Sequence, residues 1–367
     1  MSSKVDALFK PFSNNGLELD NRIVMAPMTR EQSPSGVAND AVAGYYRRRV
    51  EGGTGLIITE GTTINDPVAT MGENIPRFHG DEALAGWAKV VKEVHSVGGK
   101  IMPQIWHTGM ARNPKKAPDS QLPSIGPSGM VAPGKQVAEP MTVAQIENSI
   151  AAFAQAASDA KKIGFDGVEI HGAHGYLIDQ FFWEGTNQRT DQWGGSLENR
   201  TRYGVEIVKA IRAAVGADFP VVMRFSQWKQ QDYKARLAGT PDLLEQFLTP
   251  LADAGVDIFH CSQRRYWENE FDGSDMNLAG WTKKITGKPT ITVGSVGLNV
   301  DFISAFGGEG STTKSIDDLV ERLDKGEFDL IAVGRALLQD PQWVDKIREG
   351  KTEELKEFSV DSLATLS

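Results

Sequence analysis

This 367-residue chain has one cysteine, Cys261. It can close no internal disulfide, and a reducing cytoplasm is the expected setting. The opening Met1-Ser2-Ser3-Lys4-Val5-Asp6 has no apolar signal region. No apolar stretch approaches the roughly 18 to 20 residues that a membrane helix needs. A long basic run is also missing, at a formal net charge of -9. Phosphate backbones call for clustered Lys and Arg, so nucleic acid is not the expected partner. The Gly-x-Gly-x-x-Gly turn of an open dinucleotide-binding sheet is absent as well. What remains is a chain with 40% hydrophobic residues, enough for a sizeable core, whose expected partner is a small molecule. Nothing in the sequence chooses between monomer and homo-oligomer.

Eight short apolar, β-branched runs are present: Arg22 to Met28, Gly55 to Thr59, Lys100 to Trp106, Asp166 to His171, Pro220 to Phe225, Val256 to Cys261, Pro289 to Val293 and Phe328 to Val333. Between them, Asp81 to Val97, Thr142 to Lys162, Leu197 to Ala214 and Pro241 to Ala254 carry apolar residues at helical spacing behind Asp, Thr, Ser or Pro starts. Strand-helix alternation implies a parallel sheet with covering helices. Without the glycine fingerprint of the doubly wound sheet, eight strands predict an α/β fold of the (β/α)8 TIM-barrel kind, as one domain over residues 1–367. Residues 107–141, rich in Pro, Gly, Ser and Lys, are too long for an ordinary βα loop and are expected to form an excursion capping the mouth after strand 3. Ser262 to Trp281, with Tyr266, Trp267, Phe271 and Trp281, is expected to form a second pocket wall.

Barrel active sites sit just past the strands. There the chain places Ala26-Pro27-Met28-Thr29, Glu60-Gly61, Gln104 before Trp106, His171, Arg224, Val293-Gly294-Ser295 and Gly334-Arg335. Any one of these could be a capped strand end; seven together point to a ligand. Backbone N–H groups at Gly294, Ser295 and Gly334 beside the Arg335 guanidinium suit a phosphate. Gln104 can both donate to and accept from a heterocycle edge, and Arg224 supplies permanent positive charge where a reduced flavin would be negative. Flavin mononucleotide fits this set better than a sugar phosphate. In Val168-Glu169-Ile170-His171-Gly172-Ala173-His174-Gly175-Tyr176 an apolar run gives way to two imidazoles and a phenol, able to converge on one bound oxygen or carbon.

Together these residues resemble the old yellow enzyme group of flavin-dependent ene-reductases. The motifs are Leu8-Phe9-Lys10-Pro11 with Asn21-Arg22, Ala26-Pro27-Met28-Thr29-Arg30, Ile58-Thr59-Glu60-Gly61 and Pro103-Gln104-Ile105-Trp106. They continue with Gly167 to Gln180, Asn187 to Asp191, Gly194 to Arg200, Arg224, and Val333-Gly334-Arg335 before Asp340-Pro341, so the likeness spans nearly the whole chain. It implies noncovalent FMN held by Ala26, Pro27, Met28, Thr29, Gly61, Gln104, Arg224, Val293, Gly294, Ser295, Gly334 and Arg335, and reduced by NADPH or NADH. It further implies ping-pong reduction of activated C=C bonds in enones, enals or nitro compounds. Tyr176 would then be the proton donor, His171 and His174 would hold the substrate oxygen, and Trp106 would line the substrate pocket. By the same likeness, Thr29 would place the chain in the branch with Thr rather than Cys beside the flavin carbonyl.

Other readings stand beside this one. Paired histidines could bind a metal, but Cys261, His79, His95, His107 and His260 show no ligand spacing, and no metal is expected. The histidines, Tyr176 and Trp106 could be packed core, and Thr29 could bond its own backbone. A Schiff-base lyase would need a Lys at the end of a central strand, and none of the eight runs offers one. A noncatalytic flavin-binding or sensory barrel is the alternative function, against which the retained Tyr176, His171 and His174 argue. Arg264-Arg265 could contact a nicotinamide phosphate or be merely solvated. The segment after Trp343 lacks an aromatic Phe-Tyr element, so the flavin's dimethylbenzene edge has no assigned partner.

Overall fold

The eight runs close into a parallel barrel: β1 (Ile23–Met25), β2 (Leu56–Thr63), β3 (Lys100–Trp106), β4 (Val168–His174), β5 (Val221–Lys229), β6 (Ile258–Ser262), β7 (Thr290–Val293) and β8 (Leu330–Val333). The computed structural model describes residues 5–301, 304–305 and 311–367. Closure comes from β8 pairing with β1, Ile331 opposite Ile23 and Val333 opposite Met25. The strands depart from the predicted runs at the functional end. β1 stops at Met25, leaving Ala26–Thr29 as loop, while β2, β4 and β5 extend to Thr63, His174 and Lys229.

Helices wrap the barrel: α1 (Asp40–Glu51), α2 (Asp81–His95), α3 (Val143–Ile163), α4 (Leu177–Phe182), α5 (Leu197–Val215), α6 (Pro241–Ala254), α7 (Leu278–Thr286), α8 (Asp317–Asp324), α9 (Arg335–Gln339) and α10 (Trp343–Arg348). Their ends follow local chemistry. Thr142 and Gln145 form a capping box on α3, Ser196 caps α5, and Thr240 caps α6 ahead of Pro241. Gly164 and Gly255 end α3 and α6 in the left-handed conformation. Among the described residues no helix is long and apolar enough to cross a membrane.

Alternation along each strand creates two cores. Val168, Ile170, Met223, Phe225, Phe259 and Cys261 face the helices. Val24, Leu56, Ile58, Met102, Val222 and Ile258 fill the barrel interior. A hairpin of Phe12–Asn14 and Leu17–Leu19 adds Phe12, Leu17 and Leu19 to that interior cluster and plugs one end. Its turn residues Asn15 and Gly16 have φ of 43° and 82°, the two-residue geometry that suits a twisted hairpin.

The excursion after β3 carries a short hairpin of Met130–Ala132 and Lys135–Gln136. It sits at the rim, where Ala111 packs on Ile75, Trp106 and Tyr176, and none of its residues lines the cavity described below. The wall expected from Ser262 to Trp281 is corrected: only Ser262, Gln263 and Arg264 reach the cavity. Tyr266 and Phe271 belong to the helix-side core, and Trp267 and Trp281 pack against it.

Candidate active site

At the carboxyl ends of the strands lies a cavity of about 350 Å³. All twelve residues expected to hold FMN, together with Trp106, His171, His174 and Tyr176, lie on its wall. To these the structure adds Trp228 and Gln230 from the β5 end, Ser262 to Arg264 at the end of β6, Leu338 of α9, and Leu363 near the end of the chain.

One side is an anion cradle. Gly294 has φ 145°, and a Cβ there would stand 2.6 Å from the Gln263 carbonyl oxygen, so the turn requires glycine. Ser295 is itself left-handed, with φ 52°. The Arg335 guanidinium donates to the Val300 carbonyl and lies 3.5 Å from the Ser295 and Ser311 hydroxyl oxygens. Its described hydrogen-bond partners are neutral oxygens. Burial lowers its pKa to about 10, still cationic at neutral pH, which leaves it suited to an incoming anion.

Beneath the cavity lies a fully buried network. Gln104 Nε2 donates to Glu169 Oε1 at 2.8 Å, and Glu169 Oε2 meets His260 Nδ1 at 2.6 Å. A carboxylate accepts only from the amide nitrogen, so this contact leaves the Gln104 oxygen free to accept elsewhere. Arg224 follows on β5, its pKa lowered by burial and held up by Glu169. Among the described residues, Arg224 Nε has no hydrogen-bond partner, a buried donor available to a ligand. The residues therefore fit a flavin: an acceptor, a cation and a phosphate cradle in one cavity. Gly61 admits the neighbouring wall, since a Cβ there would stand 2.5 Å from the Trp106 ring.

The opposite side carries the donors. His171 stacks on Trp106 at 5.9 Å, His174 stacks on Trp228 at 4.5 Å, and the two imidazoles meet edge to face at 5.2 Å. The Ala173 N–H donates to His171 Nδ1 at 3.4 Å, which leaves the proton on Nε2. His174 Nε2 lies 2.8 Å from the Ser262 hydroxyl. Burial first, then Arg224, pushes both imidazoles well below their usual pKa, so they are neutral. Tyr176 accepts from Gln230 Nε2 at 3.0 Å; burial raises its pKa while Gln230 and Arg224 pull it back.

The remaining wall is apolar, with Met28, Leu338 and Leu363. Arg30 Nη2 holds the carbonyls of Ser362, Leu363 and Thr365 at 3.2, 3.1 and 2.7 Å, strapping the chain end beside the cavity. Glu60 Oε2 accepts the Arg30 N–H at 2.8 Å, and burial raises its pKa to about 7. Of the two arginines considered for a nicotinamide phosphate, Arg265 is paired with Glu268 and Asp301, whereas Arg264 lines the cavity with its guanidinium 4.8 Å above Tyr233. Lys229 corrects the statement that no central strand ends in Lys. It is buried and paired with Asp179 at 2.6 Å, and it is not among the cavity-lining residues, so a Schiff-base role gains nothing from it.

Glu169, His260, Trp228, Gln230 and Leu363 escaped the sequence reading. For the first two a signal existed: strand alternation sends Glu169 to the same face as His171, and His260 to the face of Ile258.

An eight-stranded TIM barrel with an anion cradle facing a histidine-tyrosine wall defines a class of barrel oxidoreductase. The chain matches the NADH:flavin oxidoreductase / NADH oxidase family over residues 7–354 and belongs to it, the old yellow enzyme group. It is 35% identical over 361 residues to "NADH oxidase" of Thermoanaerobacter brockii, covering 95% of this chain but only 52% of that protein's length. Against "12-oxophytodienoate reductase 7" of Oryza sativa subsp. japonica it is 30% identical, covering 93% and 87%. The "probable inactive reductase easA" of Epichloe festucae var. lolii is 36% identical over 266 residues, 72% of this chain and 70% of that one. Among solved structures, morphinone reductase in complex with tetrahydroNAD superposes with a TM-score of 0.81 at 27% identity, covering 97% of this chain and 93% of the other.

Proposed function

We propose that this chain is an FMN-dependent ene-reductase of the Thr-bearing branch, using NADPH or NADH to reduce the C=C bond of enones, enals and nitro compounds. The observation that carries this reading is convergence: the cradle of Gly294, Ser295, Gly334 and Arg335 shares one cavity with His171, His174 and Tyr176. FMN, when bound, supplies the two-electron relay between nicotinamide and alkene. Arg335 and the neighbouring backbone N–H groups would hold its phosphate. Gln104 offers an oxygen to a ring N–H, Arg224 offers charge to the electron-rich edge, and Thr29 offers a hydroxyl to a ring carbonyl.

His171 and His174, neutral at working pH, donate to the oxygen of the substrate's electron-withdrawing group. Those bonds strengthen as negative charge develops there, which makes the β-carbon a better hydride acceptor. Tyr176 delivers the proton to the α-carbon, and the Gln230 N–H steadies the phenolate left behind. Trp106 and Trp228 flank the histidines and limit water.

The second reading, a flavin barrel without turnover, has a named precedent in the relative described as inactive. The intact donor trio in this chain favours turnover. The separating experiment is anaerobic: purified protein is expected to be yellow, to release FMN rather than FAD on denaturation, and to bleach with NADPH or NADH. Colourless protein that takes up no FMN, or bound FAD, contradicts the assignment; a flavin that no nicotinamide reduces supports the noncatalytic reading.

A further inference from the structure

We propose that Asp179 is a positioning residue for the turn that presents His174 and Tyr176, with Lys229 as its buried counter-ion. The inference rests on the reading of Tyr176 as proton donor.

The turn is held against its own preferences. His174 has φ 65° and Gly175 φ 78°, so two consecutive residues are left-handed, one of them a β-strand histidine. That φ disfavours any side chain at Gly175, and a Cβ there, 1.9 Å from Gln231 Oε1, would also push the Gln231 amide aside. Something must fix a conformation that the local chain would leave. Asp179, on α4, does so with both oxygens: Oδ2 accepts the Gly175 N–H at 2.7 Å, and Oδ1 takes Lys229 Nζ at 2.6 Å. Lys229 lies opposite His174 in the β4–β5 ladder, and its Nζ also donates to the Ser226 carbonyl at 3.0 Å. The Ser226 hydroxyl in turn accepts the His174 N–H at 2.9 Å. One ion pair thus ties the last residue of β5, the first turn of α4 and the backbone between the two chemical side chains.

Neither charged group is exposed at all. A buried pair of this kind adds little stability over an apolar substitute, whereas losing one partner strands a charge. Placement therefore explains the pair better than stability does. Lys229 has a second effect, since its charge is among those holding His174 neutral. The Gly175 carbonyl is fixed too, accepting from Gln180 and Gln231 at 2.7 and 3.1 Å.

Two double variants of the FMN-loaded protein separate placement from stability. Both Asp179→Asn/Lys229→Met and Asp179→Leu/Lys229→Met remove both charges, so neither strands an ion. Only the asparagine keeps an acceptor for the Gly175 N–H. The expected result is that the Asn double retains near wild-type reoxidation by a cyclic enone. The Leu double reoxidises about 10–100-fold more slowly, the scale of a displaced donor, while its flavin is reduced by the nicotinamide as before. Amide exchange over residues 173–177 gives a readout free of turnover: the Leu double exchanges faster and the Asn double does not. Equal exchange in the two doubles, with equal reoxidation, overturns the proposal, as does equal slowing of both half-reactions in the Leu double. Where wild-type protein fails to reduce enones, the proposed activity falls, and the exchange experiment still decides whether Asp179 sets the turn.

Discussion

The two ends of this barrel are built from opposite materials. At one end Phe12, Leu17 and Leu19 join Val24, Leu56, Met102, Val222 and Ile258 in one buried apolar cluster. Toward the other, Gln104, Arg224 and His260, each two residues beyond Met102, Val222 and Ile258 on β3, β5 and β6, are buried together with Glu169 of β4. A carboxylate, a guanidinium and an imidazole in a barrel core are costly to desolvate, and they are tolerated where a ligand and a hydrogen-bond network complete them. The plugged end supplies stability; the mouth spends some of it on chemistry.

Substitutions at each end should therefore fail differently. The largest effect is expected for Tyr176→Phe at the mouth: reoxidation by a cyclic enone slows about 10²–10³-fold, about 3–4 kcal/mol of barrel-mouth chemistry, with flavin reduction and melting temperature little changed. Stopped-flow traces of the two half-reactions check it, and equal slowing of both makes the phenol structural. At the plug, Leu17→Ala should cost about 3 kcal/mol of stability by leaving a cavity, with turnover per folded molecule unaffected. Denaturant titration beside activity tests this; a lost kcat would dissolve the contrast between the ends. Next comes Arg335→Ala, expected to weaken FMN binding about 10–100-fold by removing a charge-assisted contact. Fluorescence titration of apoprotein reads the change, and unchanged affinity would place the phosphate elsewhere.

The smallest effect concerns Glu60. Its pKa of about 7 lies above the ordinary 4.5, so the folded state binds its proton more tightly than the unfolded chain. This contribution is most favourable at low pH and is lost as pH rises between those two values, by about 2 kcal/mol from about pH 5 to pH 7. Glu60→Gln should flatten the fall of melting temperature across that window; parallel curves for variant and wild type would show that Glu60 is ionised throughout.

Legibility in the sequence follows the same division. The eight runs and the caps at Thr142, Ser196 and Thr240 are local signals, and the helices begin where those residues stand. The mouth residues were readable because motif and strand-end position agree, and the structure gathers them on one cavity wall. Asn15-Gly16 was a hairpin signal passed over because the strands around it are only three residues each. Lys229 was hidden by strand length, since Ser226, Gln227 and Trp228 do not read as a continuing apolar run, yet the ladder reaches it. Leu363 had no local signal: it meets the cavity through contacts distant in sequence, among them Arg30, more than three hundred residues earlier, which holds its carbonyl. The aromatics of 266–281 misled because aromatic content marks burial, and burial against helices is the commoner case.

The central claim, that the mouth transfers hydride and proton to a carbon-carbon double bond, is tested most directly by isotope position. Protein loaded with FMN is given nicotinamide deuterated at the transferable hydrogen and a cyclic enone, in ordinary water without oxygen. The account predicts saturated ketone carrying deuterium at the β-carbon and a solvent-derived proton at the α-carbon, with Tyr176→Phe slowing its formation. Oxidised nicotinamide formed only when oxygen is admitted, with no saturated product at all, would contradict it.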